Sequence, residues 1–369
     1  MVTLEEVRTA RQRSAFIGLL EQVNKGDPCF VHPLQLSEKG YIDVESHPFY
    51  VNVDAKFYLA MENGKAIGRI ASLYNRELHQ GYFGFLQCVP NQAAFDLLLH
   101  QVAQDLQQHG IQHFTGPVNP SINYEMGVLT EGFDSPPFIM LSHNPSYYDE
   151  MIQAAGFQKA KDFHSYFCTR AQLQNLDKIE RVRKRLQERF KVKVRHPNMR
   201  RFADELKIVE RMYNDSMEEH WGFVKMSSAE FKHMANDLKQ IIDPSMVLIA
   251  ELEGRPVGFV MALPNINEIL IDIKKGRLFP GGIFKLLFLK SRIKGIRVTT
   301  IGVVPDCQPL GIGSLLYFRL MESFLKSRYQ KVEVSWVMED NHRVKKMALA
   351  IGARPYKTYR MYQNSPPTT

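Results

Sequence analysis

The sequence has little of what defines several large classes of protein. Its 369 residues include only four cysteines, widely separated and without a C-x-x-C pair, so neither a disulfide framework nor a cysteine-rich zinc site is expected. No run of about 18 uncharged apolar residues occurs, so no transmembrane helix is predicted. The first residues lack the basic-then-apolar order of a signal peptide. These absences favour a cytoplasmic protein with reduced thiols.

Motifs for common nucleotide and metal sites are also missing. The chain has no G-x-x-x-x-G-K-[ST] loop and no G-x-G-x-x-G opening a strand–helix–strand unit. It contains 12 histidines, but none has the H-E-x-x-H spacing or a similar one, so no metal is predicted. The length is enough for two domains of ordinary size.

Positive charge is concentrated in one segment. The net formal charge is +8, and residues 274–297 hold eight basic residues and no acidic one, interleaved with leucine, isoleucine and phenylalanine. Basic and apolar residues together suit an anionic membrane surface, so we predict peripheral contact with the inner face of a membrane here. A core-packing helix with basic flanks is the alternative. Nucleic acid is not favoured, because the intervening residues are mostly aliphatic and no nucleic-acid module is present.

The most informative motif is Gln308-Pro309-Leu310-Gly311-Ile312-Gly313. A β-branched strand is predicted over 298–304, and an amphipathic helix begins at Ser314. Free N–H groups at a helix start attract phosphate, and glycine lets the backbone approach a bulky anion. Pro309 has no N–H, so the loop lacks one donor.

This Q-x-x-G-x-G pattern resembles the pyrophosphate loop of the GNAT superfamily of acyl-CoA N-acyltransferases. The strand predicted at 331–338, the helix that Asn341 caps and the glycine at 352 follow the order of the second half of such a domain. The strands predicted at 246–252 and 257–263, with the turn at 253–255 between them, resemble its central hairpin. The likeness spans about residues 190–363.

The first half of the chain shows the same order of elements. A hairpin turn at 62–65 is followed by a strand at 81–89, a helix at 92–109 and a strand at 112–115. The junction at 88–93 contains no glycine, so this copy is expected to lack the pyrophosphate loop. Two unrelated α/β domains are the alternative.

We therefore predict an α/β fold of two GNAT-like domains in tandem, each a central mixed β-sheet flanked by helices. A degenerate domain is expected at 1–170, a charged connecting helix at 171–190 and the acyl-CoA domain at 191–369. The irregular segment 116–148, rich in turn and amide residues, is expected to be functional. With residues 335–341 and 352–354 it resembles a family of bacterial tandem GNAT-like proteins. Some of its members are associated with sphingolipid synthesis, in which a fatty acyl-CoA acylates a long-chain amino alcohol.

The resemblance implies direct attack of an amine on an acyl-CoA thioester, with acetyl-CoA or a longer acyl-CoA as co-substrate. Loop N–H groups would hold the pyrophosphate, a strand N–H would polarise the thioester carbonyl, and Asn341 would bond the pantetheine or only cap its helix. The candidate cofactor-binding residues are Val303, Val304, Gln308, Gly311, Ile312, Gly313, Ser314 and Asn341.

The catalytic acid and base are less clearly marked. The tyrosine that usually protonates the leaving thiolate in this superfamily is replaced by Ala348, and Tyr356 and Tyr359 are the candidates nearby. A carboxylate could accept the proton of the amine, with Glu339 as first choice and Glu125 as second. The candidate acceptor-binding residues are Asn123, Tyr124, His220, Trp221 and Trp336.

The function predicted is acyl-CoA-dependent N-acylation of an amine, which would be lipid-like if the segment 274–297 contacts a membrane. A catalytically inactive scaffold that binds acyl-CoA or a membrane is an alternative. Ala348 favours it and the intact glycine loop opposes it. An aminoacyl-tRNA-dependent transferase is a further alternative, which would explain the positive segment but would make no use of the glycine loop.

Overall fold

The computed structural model describes residues 1–175, 177, 181, 184, 191–278, 282, 285 and 289–364. The chain divides into two compact units. Unit 1 comprises Met1–Asp162, Ile269–Leu289 and Lys357–Thr369, and unit 2 comprises Phe163–Glu268 and Lys290–Tyr356. Most of the predicted connecting helix lies outside the described residues, as do residues 279–281, 283–284 and 286–288 of the basic segment. The predicted domain boundaries stay a prediction.

Unit 1 is built on a mixed sheet. Its strands are β1 (Val2–Glu6), β2 (Val53–Glu62), β3 (Lys65–Asn75), β4 (Gln80–Cys88), β5 (Phe114–Val118) and β6 (Val128–Glu131), with the first part of β7 (Phe157–Thr169). The strands β1 to β4 pair antiparallel in sequence order, whereas β4 and β5 are parallel. The C-terminal strand of the chain, at Arg354–Asn364, pairs antiparallel with β5 and β6.

Helices cover the sheet of unit 1. They are α1 (Ala10–Val23), α2 (Gln35–Tyr41), α3 (Gln92–Gln108) and α4 (Tyr148–Ala154). The long helix α3 buries Phe95, Leu98 and Val102 completely against the sheet. Because burying one such side chain contributes roughly 1.5–3 kcal/mol, this helix face holds much of the unit together.

The strands of unit 2 also pair in a mixed pattern. They comprise the second part of β7, then β8 (Lys193–Arg195), β9 (Val247–Leu252), β10 (Arg255–Pro264), β11 (Gly295–Val303) and β12 (Lys331–Met338). The helices are α5 (Phe202–Met217), α6 (Ser228–Lys239), α7 (Asn267–Leu270), which crosses into unit 1, α8 (Ile312–Lys326) and α9 (His342–Ala350). The strand Arg354–Asn364 is numbered β13. Only β11 and β12 are parallel among the pairs described in this unit.

Both predicted hairpins are confirmed. In each, two successive residues have positive φ: Asn63 (50°) with Gly64 (72°), and Glu253 (52°) with Gly254 (82°). Such turns match the right-handed twist of the strands that they join. The helices predicted at 92–109 and near 342–351 are also present. The strand expected at 112–115 lies instead at Phe114–Val118, and the loop after β11 is a 3₁₀ helix, Pro305–Leu310.

The basic segment is not a uniform surface feature. Its last arginine, Arg297, lies on β11 and is 2% exposed. Lys275 pairs with Glu21 at 2.8 Å, and Lys294 donates its backbone N–H to Glu268. Among the described residues, no helix is both long and apolar enough to span a membrane.

Candidate functional site

A cleft opens between the two parallel strands of unit 2. The pairing of β11 with β12 joins Gly295–Val298 to Lys331–Val334, and both strands then continue without further pairing to each other in the described part of the chain. The strand β11 remains paired with β10 as far as Val303, and β12 remains paired with β7 as far as Met338. Beyond the point of separation, the facing strand edges therefore offer backbone donors and acceptors to another molecule.

The helix α8 begins just beyond the open end of this cleft. Its N-cap is Gly311, whose φ of 77° lies in the left-handed region that glycine adopts without strain. No side chain caps the helix. The first N–H groups, at Ile312, Gly313 and Ser314, therefore lie at an uncapped N-terminus, where the helix dipole adds positive potential.

Side-chain and backbone hydrogen bonds hold the 3₁₀ helix against the strand. The Nε2 of Gln308 donates to the carbonyl of Val303 at 3.3 Å and so ties the 3₁₀ helix to the end of β11. The N–H of Val304 donates to the carbonyl of Val257 at 3.0 Å and is thus engaged within the sheet. Cys307 is buried, and burial with nearby Asp306 raises the pKa of its thiol.

Asn341 occupies the start of the next helix. Its side-chain oxygen accepts a hydrogen bond from the N–H of Val344 at 3.1 Å, so this residue caps α9. Ala348, which stands where a catalytic tyrosine was expected, is completely buried in the same helix.

The four candidate acids and bases fall into both units. In unit 2, Glu339 is half-buried just past β12, and the hydroxyl of Tyr356 faces the carboxyl group of Glu333. In unit 1, Glu125 accepts a hydrogen bond from Asn119 at 2.8 Å, and Tyr359 is completely buried on β13.

The candidate acceptor residues of unit 1 lie in the irregular segment. The N–H of Asn123 donates to the hydroxyl of Ser121 at 3.2 Å. The ring of Tyr124, 4% exposed, meets Tyr41 and His47 edge-on with centroids 5.7 and 5.8 Å away. Tyr124 thus packs against residues outside the irregular segment.

The remaining acceptor candidates belong to unit 2. His220 lies in the turn after α5, and burial lowers the pKa of its imidazole. Trp221 packs on Phe163 with centroids 5.9 Å apart. The guanidinium carbon of Arg297 lies 4.6 Å from the ring centroid of Trp336.

A buried polar cluster at the cleft was missed by sequence reasoning. Arg297 on β11 donates through Nε to the hydroxyl of Ser335 at 2.8 Å and lies 3.8 Å from Glu333. Glu333 is completely buried. The one sign of this cluster in the sequence is a glutamate between Val332 and Val334 in a predicted strand.

The corresponding junction of unit 1 is closed by its own side chains. The phenol groups of Tyr147 and Tyr148 bond the carbonyl and N–H of Cys88 at the end of β4. Asn91 caps α3 by accepting from the N–H of Ala94 at 3.1 Å. Across the described residues, no group of three or more histidines, cysteines or acidic residues is arranged to hold a metal ion.

Comparisons with known proteins agree with this architecture. A model of the acetyltransferase (GNAT) family matches residues 208–352. The chain is 31% identical to the "Bacterial ceramide synthase" of Caulobacter vibrioides (strain NA1000 / CB15N), over 97% of this chain and 96% of that protein. It is 32% identical to "Protein YghO" of Escherichia coli (strain K12), over 95% and 92% of the two chains.

Solved structures show the same fold at low identity. A tandem GNAT protein from the clavulanic acid biosynthesis pathway aligns over 100% of both chains with a TM-score of 0.58 and 10% identity. A probable N-acyltransferase from Enterococcus faecalis V583 aligns over 98% of this chain and 72% of that one, with a TM-score of 0.54 and 9% identity.

The protein is thus an N-acyltransferase of the GNAT superfamily with a tandem architecture. It belongs to the tandem GNAT family that includes these two bacterial relatives. The predicted fold class is confirmed, and acyl-CoA is the co-substrate that the family implies.

Proposed function

We propose that the protein transfers a long acyl chain from CoA to a lipid-like amine, and that unit 2 binds the acyl-CoA. The observation that carries this proposal is the uncapped start of α8 at the open end of the strand cleft. The N–H groups of Ile312, Gly313 and Ser314 would hold the pyrophosphate. The pantetheine arm would run along the cleft and bond the strand edges.

The available space supports a role for Gly313. A Cβ built on it would lie 3.6 Å from a methyl group of Val303 and 3.9 Å from one of Ile301, both ordinary contacts. The packing of the protein alone therefore does not require glycine here. Close approach of a bulky anion would require it, because any side chain would project toward the strand end that the pyrophosphate must reach.

The nature of the acceptor is inferred from two observations. One is the near full-length match to a protein named bacterial ceramide synthase. The other is an open cavity of about 640 Å³ in unit 1, whose lining includes basic Lys275 and Arg277 and apolar Ile17, Leu20 and Ile42, together with acidic Glu21, Glu38 and Asp43. Basic and apolar residues in one lining suit an amphiphile. We propose that the segment 274–297, apart from its buried Arg297, contacts an anionic membrane that supplies the lipid amine.

Calorimetric titration with palmitoyl-CoA and acetyl-CoA tests the proposal. We expect palmitoyl-CoA to bind more tightly, and Gly313→Glu to weaken both by about tenfold or more, since a carboxylate would repel the pyrophosphate. The matched control is Gln107→Glu with Gln108→Glu, which adds negative charge at exposed positions of α3. Its affinities should equal those of the wild type.

Turnover separates the competing outcomes. Mass spectrometry should detect an amide product from palmitoyl-CoA and sphinganine, a long-chain 2-amino-1,3-diol. Binding without turnover on any amine would support an acyl-CoA-binding scaffold instead. Failure of both acyl-CoA compounds to bind would overturn the assignment of α8 and its cleft.

A further inference from the structure

The buried cluster in unit 2 lies where the two parallel strands separate. Arg297 and Glu333 are partners in the parallel register, and the next pair, Val298 with Val334, is the last one before the cleft. Ser335 follows immediately on β12. The cluster therefore forms the closed end of the cleft, opposite the end at which α8 begins.

The distance along the strand suits the length of a cofactor arm. Val303 lies five residues along the chain from Val298, and a strand rises about 3.3 Å per residue, so the cleft is roughly 17 Å long. A pantetheine arm anchored at α8 would extend along this path. The acyl thioester at its far end would then approach Glu333 and its neighbours.

The carboxyl group of Glu333 has no short, bidentate pairing with its charged partner. Its partner Arg297 uses Nε to bond Ser335 and approaches the carboxylate only to 3.8 Å. Neither carboxylate oxygen completes a hydrogen bond of ordinary geometry. A pair retained purely for stability is expected to have short, bidentate hydrogen bonds, since those offset the loss of solvation.

The surroundings of Glu333 also adjust its proton affinity. Burial, the largest influence, raises the pKa of the carboxyl group. Arg297 acts against burial, as do the hydroxyls of Ser165, Ser335 and Tyr356. A carboxylate whose pKa is raised is a better acceptor for the proton of an amine near neutral pH.

We propose that Glu333 is the general base of acyl transfer, receiving the proton of the attacking amine at the closed end of the cleft. This inference rests on the proposed acyl-CoA site. Glu333 takes the role of base in place of Glu339 and Glu125, and Tyr356 is kept as the acid.

The proton balance of the reaction is complete with these groups. The amine nitrogen forms a bond to the thioester carbon, its excess proton passes to Glu333, and the carbon–sulfur bond breaks to release the CoA thiolate. Tyr356 gives its phenolic proton to the thiolate and regains one from Glu333, whose carboxyl group it faces. The products are the amide and CoA with a neutral thiol.

Substitution Glu333→Gln keeps the size of the side chain and removes the base. With palmitoyl-CoA and sphinganine we expect kcat to fall by about 10²–10⁴-fold, while the dissociation constant of palmitoyl-CoA stays within about twofold of the wild-type value. Circular dichroism verifies the fold. Glu253→Gln, at an exposed position of the hairpin turn between β9 and β10, is the matched control and should retain wild-type kcat.

The pH profile separates a base from a structural ion pair. Ser335→Ala removes a hydroxyl that favours the charged carboxylate, so the pKa of Glu333 should rise and the acid limb of kcat/KM should move to higher pH. Arg297→Gln should move that limb in the same direction and further. If Glu333→Gln retains wild-type kcat, or if the acid limb is unmoved in a folded Ser335→Ala protein, the inference is overturned.

These results are separable from failure of the proposed function. Loss of acyl-CoA binding in the wild-type protein would contradict the acyl-CoA site itself. Normal binding and turnover in the wild type, with no change in Glu333→Gln, would contradict only the assignment of the base.

Discussion

The phenol oxygen of Tyr148 accepts a hydrogen bond of 2.8 Å from the backbone N–H of Cys88. Tyr147 bonds the carbonyl of the same residue at 2.7 Å, so both backbone groups at the end of β4 are satisfied within unit 1. Asn91 caps the following helix. The equivalent helix start in unit 2 is left uncapped by side chains. The two units thus differ at the position that would bind a pyrophosphate.

One acyl-CoA should therefore bind per chain. Isothermal titration with palmitoyl-CoA below its micelle-forming concentration should give a stoichiometry near one, and the Gly313→Glu variant should show no residual second site. Tyr148→Phe removes the hydroxyl that bonds the N–H of Cys88 at the end of β4. It should leave the stoichiometry unchanged, because Asn91 still caps α3. Two equivalent sites in the wild type would contradict the view that unit 1 has lost the loop.

The two roles considered for Asn341 can be separated by substitution. Asn341→Ala should lose the cap on Val344 and lower the free energy of unfolding by about 1 kcal/mol. Asn341→Ser should keep most of that stability, since a serine oxygen also caps a helix. If the carboxamide also bonds pantetheine, both variants should bind acyl-CoA more weakly. Wild-type affinity in the serine variant would leave capping as its function.

Local sequence signals predicted the parts of the fold that depend on neighbouring residues. The glycines of the pairs Asn63-Gly64 and Glu253-Gly254 adopt positive φ without strain, and both hairpins form as expected. The β-branched run before Gly311 and the amphipathic run after it likewise give β11 and α8.

The missed features depend on contacts between distant residues. Arg297 was grouped with a surface segment by composition, whereas its partner Glu333 is reached only through the register of two parallel strands. The strand β6 is short and packs against β13 more than 200 residues later, so no local periodicity marks it. The tyrosines that close the junction of unit 1 also lie about 60 residues from Cys88 in sequence.

Two glycines of unit 1 should respond in opposite ways to alanine. At Gly84, a Cβ would lie 1.9 Å from the carbonyl oxygen of Val118, which is backbone and cannot move aside cheaply. Gly84→Ala should destabilise the protein by about 3 kcal/mol or more. Gly18 lies within α1 and a Cβ there meets nothing within 4 Å, so Gly18→Ala should stabilise it by about 0.5–1 kcal/mol. Urea unfolding of both variants measures the difference, and equal shifts would contradict the packing at β4.

Acid should weaken unit 1 through Asp162. Burial alone would raise the pKa of its carboxyl group, but hydrogen bonds from Arg360 and Lys159 outweigh burial and hold the pKa below its usual value of 3.8. A group whose pKa is lower in the folded state stabilises it at pH values above the unfolded pKa. That stabilisation is lost as the pH falls through the folded pKa.

Substitution Asp162→Asn should therefore cost about 2 kcal/mol at pH 7, as expected for lost hydrogen bonds to charged groups, and progressively less below a pH of about 3.8. Urea unfolding at pH 7, 5, 4 and 3 measures this convergence. Asp54→Asn is the matched control, because Asp54 forms an ion pair with Arg76 in which both side chains are nearly half exposed. Exposed pairs contribute little, so this variant should differ from the wild type by less than about 1 kcal/mol at pH 7. A difference for Asp162→Asn that stayed constant from pH 7 to pH 3 would show that the carboxylate charge does not stabilise the fold.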